Sequence, residues 1–159
     1  MKHLIELAGD KPVIEVLDLG CGPNAVSAAY CVKGLFIKFI PMDKRPYKGV
    51  IQGDMEDLNL RDSVVDGVQC INALDHTPNA KKALEEMIRV AKDWVYIDLN
   101  LIQYTTSGKG HYWDALEDGT LTNGKESFNL KDYGFKIKNI KFGGERRYDQ
   151  IIAILRKKS

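Results

Sequence analysis

Apolar residues along the chain fall in short blocks, and the spacing inside each block predicts either a strand or a helix. The run from Val13 to Leu19 is mostly apolar, which is typical of a strand buried on both faces of a parallel sheet. Similar runs over 35–42, 64–72 and 93–99 predict three further strands, with a shorter one ending at Ile51. Strands that alternate with helical segments indicate an α/β fold.

Helical spacing of apolar residues predicts three helices in the first hundred residues. One short amphipathic helix falls within 1–12. A second runs from Pro23 to Lys33, because proline suits the first helical position and Gly34 suits the exit. A third has Thr77 as its N-cap and Pro78 as its first residue. The buried stripe of this third helix comprises Ala80, Ala83, Leu84, Met87, Ile88 and Ala91.

The C-terminal third of the chain predicts a different arrangement. A short helix over 127–133 is followed by strands over 135–142 and 147–155, which the turn Gly143-Gly144 joins. Residues 100–125 have no helical stripe, and a segment of this length without evident regular structure is usually functional or mobile. The total length of 159 residues suits a single domain.

A glycine turn follows the first strand, in the sequence Asp18-Leu19-Gly20-Cys21-Gly22. A strand, a glycine turn and a helix form the entrance of a mononucleotide-binding unit, where glycines let a ligand approach the backbone. Asp18 argues against a diphosphate ligand, because its carboxylate would repel the phosphates. The sulfonium and α-ammonium groups of S-adenosylmethionine would be attracted to it, so this turn favours S-adenosylmethionine over NAD.

The pattern Asp-x-Gly-x-Gly resembles the first motif of class I S-adenosylmethionine-dependent methyltransferases, of the methyltransferase type 11-like kind. Asn24 stands where that motif often has a third glycine. The resemblance implies a Rossmann-like three-layer sandwich, with a mostly parallel sheet whose last strand is antiparallel. It also implies S-adenosyl-L-methionine as the cofactor, S-adenosyl-L-homocysteine as the product, and methyl transfer by in-line displacement.

Asp43 ends the second predicted sheet strand, 21 positions after Gly22. This offset matches the roughly 20 residues at which an acid meets the ribose of a bound nucleotide. The resemblance likewise makes Asp43 the ribose acid. Two alternatives remain open: Asp43 pairs with Lys44 or Arg45 on the surface, or a basic residue there holds the 2′-phosphate of NADP.

Two later stretches extend the resemblance. Asp54 and Met55 match the positions whose acid accepts a hydrogen bond from the adenine amino group and whose next residue packs on the base; the alternative is a solvated acidic loop. Residues 66–78 resemble the family stretch in which a strand ends in a Leu-acid-His group. Together these matches assign the cofactor site to Asp18, Leu19, Gly20, Cys21, Gly22, Asn24, Asp43, Lys44, Asp54, Met55 and Asn72.

Candidate acceptor residues follow the fourth and fifth strands. His76 either acts near the reacting groups or braces its loop, and no residue is assured as a catalytic base. We expect residues 100–125 to form an acceptor pocket or lid with Tyr112 and Trp113 as walls. The alternative is a hairpin whose aromatic residues cover the edge of the core.

Composition excludes several classes of protein. The formal net charge of +1 gives no overall attraction to nucleic acid or membrane, although basic residues near the C-terminus leave nucleic-acid binding open. No apolar run is long enough to span a membrane. The three cysteines have no metal-ligand spacing and no disulfide pattern, so we expect no metal and a cytoplasmic location.

The sequence therefore favours a methyltransferase that acts on a small-molecule acceptor. A second interpretation is a non-catalytic regulator that binds S-adenosylmethionine or S-adenosylhomocysteine, since no base is evident. A third, an NAD(P)-dependent enzyme, is disfavoured by Asp18 and Asn24.

Overall fold

The computed structural model describes residues 2–23, 25, 29–101, 110–141 and 149–157. These residues form helices α1 (Lys2–Ala8) and α2 (Ala80–Val90) and the 3-10 turns Leu74–His76 and Leu130–Tyr133. The strands are β1 (Val13–Leu19), β2 (Ala29–Val32), β3 (Leu35–Asp43), β4 (Ile51–Gln52), β5 (Val65–Ile71), β6 (Ala91–Asn100), β7 (Asp114–Ala115), β8 (Thr120–Thr122), β9 (Ser127–Asn129), β10 (Lys136–Ile140) and β11 (Gln150–Arg156).

An eight-stranded sheet forms the centre, in the order β10-β11-β6-β5-β1-β3-β2, with β4 also paired to β3. Strand β1 runs parallel to β3 and β5, β4 runs parallel to β3, and β6 runs parallel to β5. Strand β11 lies antiparallel between β6 and β10. The predicted mostly parallel sheet with an antiparallel last strand is confirmed.

The core lies on both faces of this sheet, because side chains alternate between the faces of a strand. Ile14 and Val16 of β1 belong to the cluster that includes Leu4 and Leu7 of α1. Leu17 and Leu19 belong to the cluster on the opposite face, which includes the buried stripe of α2. Helix, sheet and helix make three layers, as predicted. The buried stripe of α2 comprises Ala80, Ala83, Leu84, Met87 and Val90.

The second predicted helix is wrong over its C-terminal half. Ala29–Val32 form strand β2, which pairs antiparallel with β3. Lys33 and Gly34 join the two strands with φ of 51° and 82°, which is the positive-φ geometry of a two-residue hairpin turn. Gly34 therefore closes a hairpin rather than a helix, and Tyr30 stays exposed. The start of the predicted helix includes Asn24, which lies outside the described residues.

The third predicted helix begins later than expected. Helix α2 starts at Ala80, and Asn79 caps it by accepting a hydrogen bond from the Lys82 amide at 3.0 Å. The Thr77 hydroxyl does not cap the helix, because it donates to the Glu56 carboxylate. That carboxylate also accepts from the Asn79 amide at 3.0 Å, so Glu56 fixes the approach to the helix.

The segment expected to lack regular structure contains two strands. β7, β8 and β9 form a separate three-stranded antiparallel sheet, while residues 102–109 lie outside the described part. The predicted helix over 127–133 is a strand followed by a 3-10 turn, which Gly134 closes with φ of 87°. Neither of the described helices is long and apolar enough to cross a membrane.

Candidate active site

A cavity of about 540 Å³ opens at the carboxyl ends of β1, β3 and β5. Ligands bind at this edge of open α/β sheets, and the volume is in the range of small-molecule sites. Two groups of residues line it. We call Leu19, Gly20, Asp43, Lys44, Asp54 and Met55 the glycine-turn side. We call Ala73, His76, Thr77, Pro78, Gly110 and Tyr112 the histidine side.

Gly20 lines the cavity and brings the two sides into contact. Its φ is 67°, a left-handed conformation that disfavours any residue with a Cβ. A Cβ added there would lie 2.3 Å from the Cβ of Ala73 and 3.3 Å from Cε of Met55. The Gly20 amide also donates to the Met42 carbonyl at 2.9 Å. Glycine is thus required here by both backbone angle and close packing.

Asp43 is held with its carboxylate at the cavity. One oxygen accepts a hydrogen bond from the Gly22 amide at 3.0 Å, and the other accepts from the Arg45 amide at 2.9 Å. The alternative interpretation, a side-chain ion pair with Lys44 or Arg45, does not account for this position, because two backbone amides fix the Asp43 carboxylate. A carboxylate has about four lone-pair positions, so acceptor capacity remains for a ligand.

Asp54 faces the cavity from the loop after β4. Lys44 forms an ion pair with it at 2.7 Å, and the Glu56 amide donates to its other oxygen at 3.0 Å. The hydrogen bond from Lys44 holds the pKa of the Asp54 carboxyl below its ordinary value. Asp54 therefore stays an ionised acceptor, while the Met55 side chain lies against Gly20.

Asp18 lies behind the cavity rather than in its lining. Its carboxylate accepts a hydrogen bond from the Gln69 side chain at 2.9 Å. Burial raises the pKa of Asp18, and the Gln69 hydrogen bond opposes that shift only in part. The ionised carboxylate is thus poorly solvated, which is the setting in which a nearby cation gains most from it.

The histidine side is assembled from two distant parts of the chain. Asp75 and His76 lie on the 3-10 turn after β5, and Gly110 and His111 follow β6. His76 Nδ1 lies 3.0 Å from the Gly110 carbonyl, and His111 Nδ1 lies 2.6 Å from the Asp75 carboxylate. The two imidazole rings lie with their centroids 3.9 Å apart and their planes tilted by 40°.

A profile of the methyltransferase domain family matches residues 17–97, about half of the chain. The chain belongs to this family of methyltransferase domains. The matched residues include Asp18, Asp43 and Asp54 and most of the parallel strands. The resemblance to class I methyltransferases is therefore confirmed.

Solved structures share the fold of this methyltransferase domain. A proposed methyltransferase of Bacillus halodurans C-125 is 18% identical, with a TM-score of 0.59 over 99% of this chain and 98% of the other. An S-adenosylmethionine-dependent methyltransferase of Aquifex aeolicus is 16% identical, with a TM-score of 0.53 over 96% and 87%. The CurJ carbon methyltransferase is 12% identical, with a TM-score of 0.65 over 99% of this chain but only 53% of its own. A search of curated proteins gives no match.

The expectation that Trp113 forms a wall of the acceptor pocket is corrected by its burial. Only 2% of Trp113 is exposed, and its indole N–H lies 3.1 Å from the Thr77 carbonyl and 3.3 Å from the Pro78 carbonyl. It packs edge-on against Phe128 in the core of the methyltransferase domain. Its neighbour Tyr112 is 49% exposed and does line the cavity.

The remaining residues assigned to the cofactor site divide into lining and supporting residues. Leu19 and Asn72 line the cavity, and Asn72 has a φ of 50° at the end of β5. Gly22 and Cys21 are outside the lining, but the Gly22 amide holds Asp43. Burial and the nearby acids raise the pKa of Cys21 to about 11, so its thiol stays protonated.

The candidate residues taken from the sequence did not include Gln69, which hydrogen-bonds Asp18, or Asp75 and His111, which contact each other beside His76. Asp75 and His111 lie 36 residues apart, and Gln69 meets Asp18 across neighbouring strands. The Leu-acid-His group was a signal for Asp75, but no local spacing connects it to His111.

Proposed function

We propose that this domain is an S-adenosyl-L-methionine-dependent methyltransferase that binds its cofactor on the glycine-turn side and a small-molecule acceptor on the histidine side. The observation that carries the proposal is Asp43. Its carboxylate is fixed at the cavity by the Gly22 and Arg45 amides, directly beside the glycine turn. A rigid acceptor at this strand end suits the two hydroxyls of a ribose.

The other residues of the glycine-turn side fit the rest of the cofactor. Asp54 is kept ionised by Lys44 and would accept a hydrogen bond from the adenine amino group. Met55 is soft and polarisable, which suits packing on the base. Asp18 would stabilise the cationic end of the cofactor from behind the turn, because its buried carboxylate lacks a positive partner among the described residues.

The chain's role in the reaction is alignment and exclusion of water. When bound, S-adenosyl-L-methionine supplies an electrophilic methyl group on its sulfonium. Asp43 and Asp54 would fix the nucleoside, while His76 and Tyr112 would position the acceptor opposite the methyl group. Gly110 and Tyr112 therefore belong to the acceptor pocket in this proposal, with Tyr112 as the wall.

Competing ligands fit the same residues less well. A 2′-phosphate of NADP would meet the Asp43 carboxylate, and the ammonium of Lys44 is already paired with Asp54. The basic residues Lys136 and Lys138 lie on β10, which is the far edge strand of the sheet, so they do not line the cavity. The free thiols of the three cysteines support a reducing compartment such as the cytoplasm.

Calorimetry with S-adenosylmethionine, S-adenosylhomocysteine and NADPH tests the proposal. We expect the first two to bind and NADPH not to bind. Asp43→Asn should weaken S-adenosylmethionine affinity by about 10- to 100-fold, since hydrogen bonds to charged groups contribute roughly 1.5–3 kcal/mol. Asp10→Asn, an exposed acid elsewhere, should bind like the wild type.

A methyl-transfer assay against pools of small metabolites separates an enzyme from a regulator. Turnover of S-adenosylmethionine that depends on the metabolite pool is expected. Tight binding without turnover would instead favour the non-catalytic regulator, and unchanged affinity in Asp43→Asn would overturn the assignment of the ribose acid.

A further inference from the structure

Asp75, His76 and His111 form a cluster that the fold holds in place. The Asp75 carbonyl accepts hydrogen bonds from the Tyr112 amide at 2.8 Å and the Trp113 amide at 3.3 Å. The Trp113 indole is anchored in turn to the carbonyls after His76. The backbone on both sides of the cluster is thus fixed by main-chain contacts that do not involve the imidazoles themselves.

The donor atoms of this cluster converge on one point. One carboxylate oxygen of Asp75 and one nitrogen each of His76 and His111 lie within 4.8 Å of one another. A carbonyl only accepts, so in neutral His76 the Nδ1 atom carries the proton that Gly110 receives. The lone pair of His76 then lies on Nε2. A backbone carbonyl behind Nδ1 is the usual support of a metal-binding imidazole.

The Asp75 carboxylate supplies a second, independent observation. Asp75 is only 7% exposed, and its Oδ1 atom is buried without a hydrogen-bond partner among the described residues. A buried carboxylate oxygen without a partner is costly. A cation bound beside it would supply the missing interaction.

We propose that Asp75, His76 and His111 bind a first-row divalent metal ion of the Zn²⁺ or Fe²⁺ class on the histidine side of the cavity. Two imidazoles and one carboxylate suit these ions, whereas Mg²⁺ prefers oxygen ligands. Ligand atoms around such an ion lie about 2.0–2.2 Å from it. His76 is exposed, so its side chain has room to shift toward the ion.

The site would leave coordination positions open, because the described residues supply three ligands, and His76 places the site beside the cavity that it lines. This role rests on the proposed function. A hydroxyl or thiol of the acceptor bound to the ion would lose its proton to solvent, since a divalent ion lowers the pKa of its ligands. The resulting anion would attack the methyl carbon, and the electrons of the broken carbon–sulfur bond would remain on the neutral thioether product. No separate protein base is then needed.

Titration of the metal-free protein with Co²⁺, followed by its visible absorption, tests the site without any methyl donor. We expect one Co²⁺ per chain, displacement by Zn²⁺, and no competition from millimolar Mg²⁺. Loss of a residue that only hydrogen-bonds a metal ligand typically weakens metal binding by roughly 10- to 100-fold. His76→Gln removes a ligand itself, so it should weaken Co²⁺ binding by more than this. Because His76 is exposed, this variant should keep the wild-type melting temperature.

His3→Gln is the matched control, because His3 packs against Tyr96 on the opposite face of the sheet. It should bind Co²⁺ like the wild type. No Co²⁺ spectrum in the wild type, or equal losses in His3→Gln and His76→Gln, would overturn the metal site. Calorimetry with S-adenosylmethionine on the same samples keeps the two proposals distinct: methyl-donor binding without Co²⁺ binding rejects only the metal, and the reverse result rejects only the cofactor assignment.

Discussion

The two sides of the cavity are built in different ways. The glycine-turn side takes its residues from the ends of neighbouring parallel strands and the short loops after them, all within 19–55. The histidine side joins the turn after β5 to Gly110 and Tyr112, which follow residues 102–109 in the chain. The order of strands in the sheet brings the glycine-turn side together. The histidine side depends on long-range backbone hydrogen bonds, such as the one from the Tyr112 amide to the Asp75 carbonyl.

The two sides also differ in how their acids are satisfied. Asp43 accepts from two backbone amides, and Asp54 accepts from a backbone amide and Lys44. One carboxylate oxygen of Asp75 lies 2.6 Å from Nδ1 of His111, and its other oxygen has no partner in the described part of the chain. Each oxygen of Asp43 and Asp54 thus has a partner within the protein, whereas a buried oxygen of Asp75 on the histidine side could gain one from a ligand.

Gly20→Ala should have the largest effect, because Gly20 is where the two sides touch. The added Cβ would meet Ala73 at 2.3 Å, and the backbone has a φ of 67°. Left-handed strain and overpacking together should lower the free energy of unfolding by roughly 3 kcal/mol. Urea denaturation measures this loss, and calorimetry should show that S-adenosylmethionine and Co²⁺ binding both weaken.

Gly22→Ala is the control for this change. Its φ is 72°, but an added Cβ would have no neighbour within 4 Å. Only the backbone strain of about 1–2 kcal/mol is expected, and Co²⁺ binding should not change. Equal losses in the two variants would show that contact with Ala73 does not couple the sides.

Trp113→Phe should have an intermediate effect that is confined to the histidine side. Phenylalanine keeps the apolar packing but leaves the Thr77 and Pro78 carbonyls without the indole N–H. An unpaired acceptor in the core costs about 1–2 kcal/mol of unfolding free energy. Thermal denaturation should show this loss and Co²⁺ should bind more weakly, while S-adenosylmethionine affinity stays unchanged.

The exposed neighbour Tyr112 provides the comparison for that variant. Tyr112→Phe should change the free energy of unfolding by less than about 0.5 kcal/mol. If Trp113→Phe lost as much affinity for S-adenosylmethionine as for Co²⁺, the two sides of the cavity would not be independent.

The same contrast explains how much the sequence could predict. The parallel strands, the glycine turn and Asp43 follow from local hydrophobic runs and fixed offsets, and the structure brings Asp43 and Asp54 to one cavity as expected. The prediction of a helix that exits at Gly34 was wrong, because a Lys-Gly pair between apolar residues also suits the turn of a hairpin. The local spacing of apolar residues does not distinguish an alanine-rich helix from the edge strand β2.

The histidine side could be predicted only in part. The Leu-acid-His group and the aromatic cluster around Tyr112 were both visible in the sequence. The sequence did not show which of the adjacent residues Tyr112 and Trp113 faces the cavity. Their orientation depends on the Thr77 carbonyl, which accepts a hydrogen bond from the Trp113 indole N–H. Contacts between residues 36 apart leave no periodic signal in the chain.

Asp18→Asn should have the smallest effect on stability and should affect only the glycine-turn side. Burial raises the pKa of Asp18, so the folded chain holds this proton to higher pH than the unfolded chain does. Its contribution to stability is therefore greatest at low pH and falls as pH rises through the raised pKa. Asparagine stays neutral and can still accept from Gln69, so at neutral pH the variant should be at least as stable as the wild type.

Cofactor affinity should change with pH in the opposite direction, because only the ionised Asp18 carboxylate attracts a cation. In the wild type, S-adenosylmethionine affinity should fall as pH decreases through the raised pKa of Asp18, whereas the Asn variant should bind weakly and lack that part of the pH dependence. Calorimetry and urea denaturation from about pH 4, near the ordinary pKa of an aspartate, up to neutral pH measure both quantities. A variant that is clearly less stable at neutral pH, yet binds S-adenosylmethionine as tightly as the wild type, would make Asp18 a structural residue and leave Asp43 and Asp54 to define the glycine-turn side.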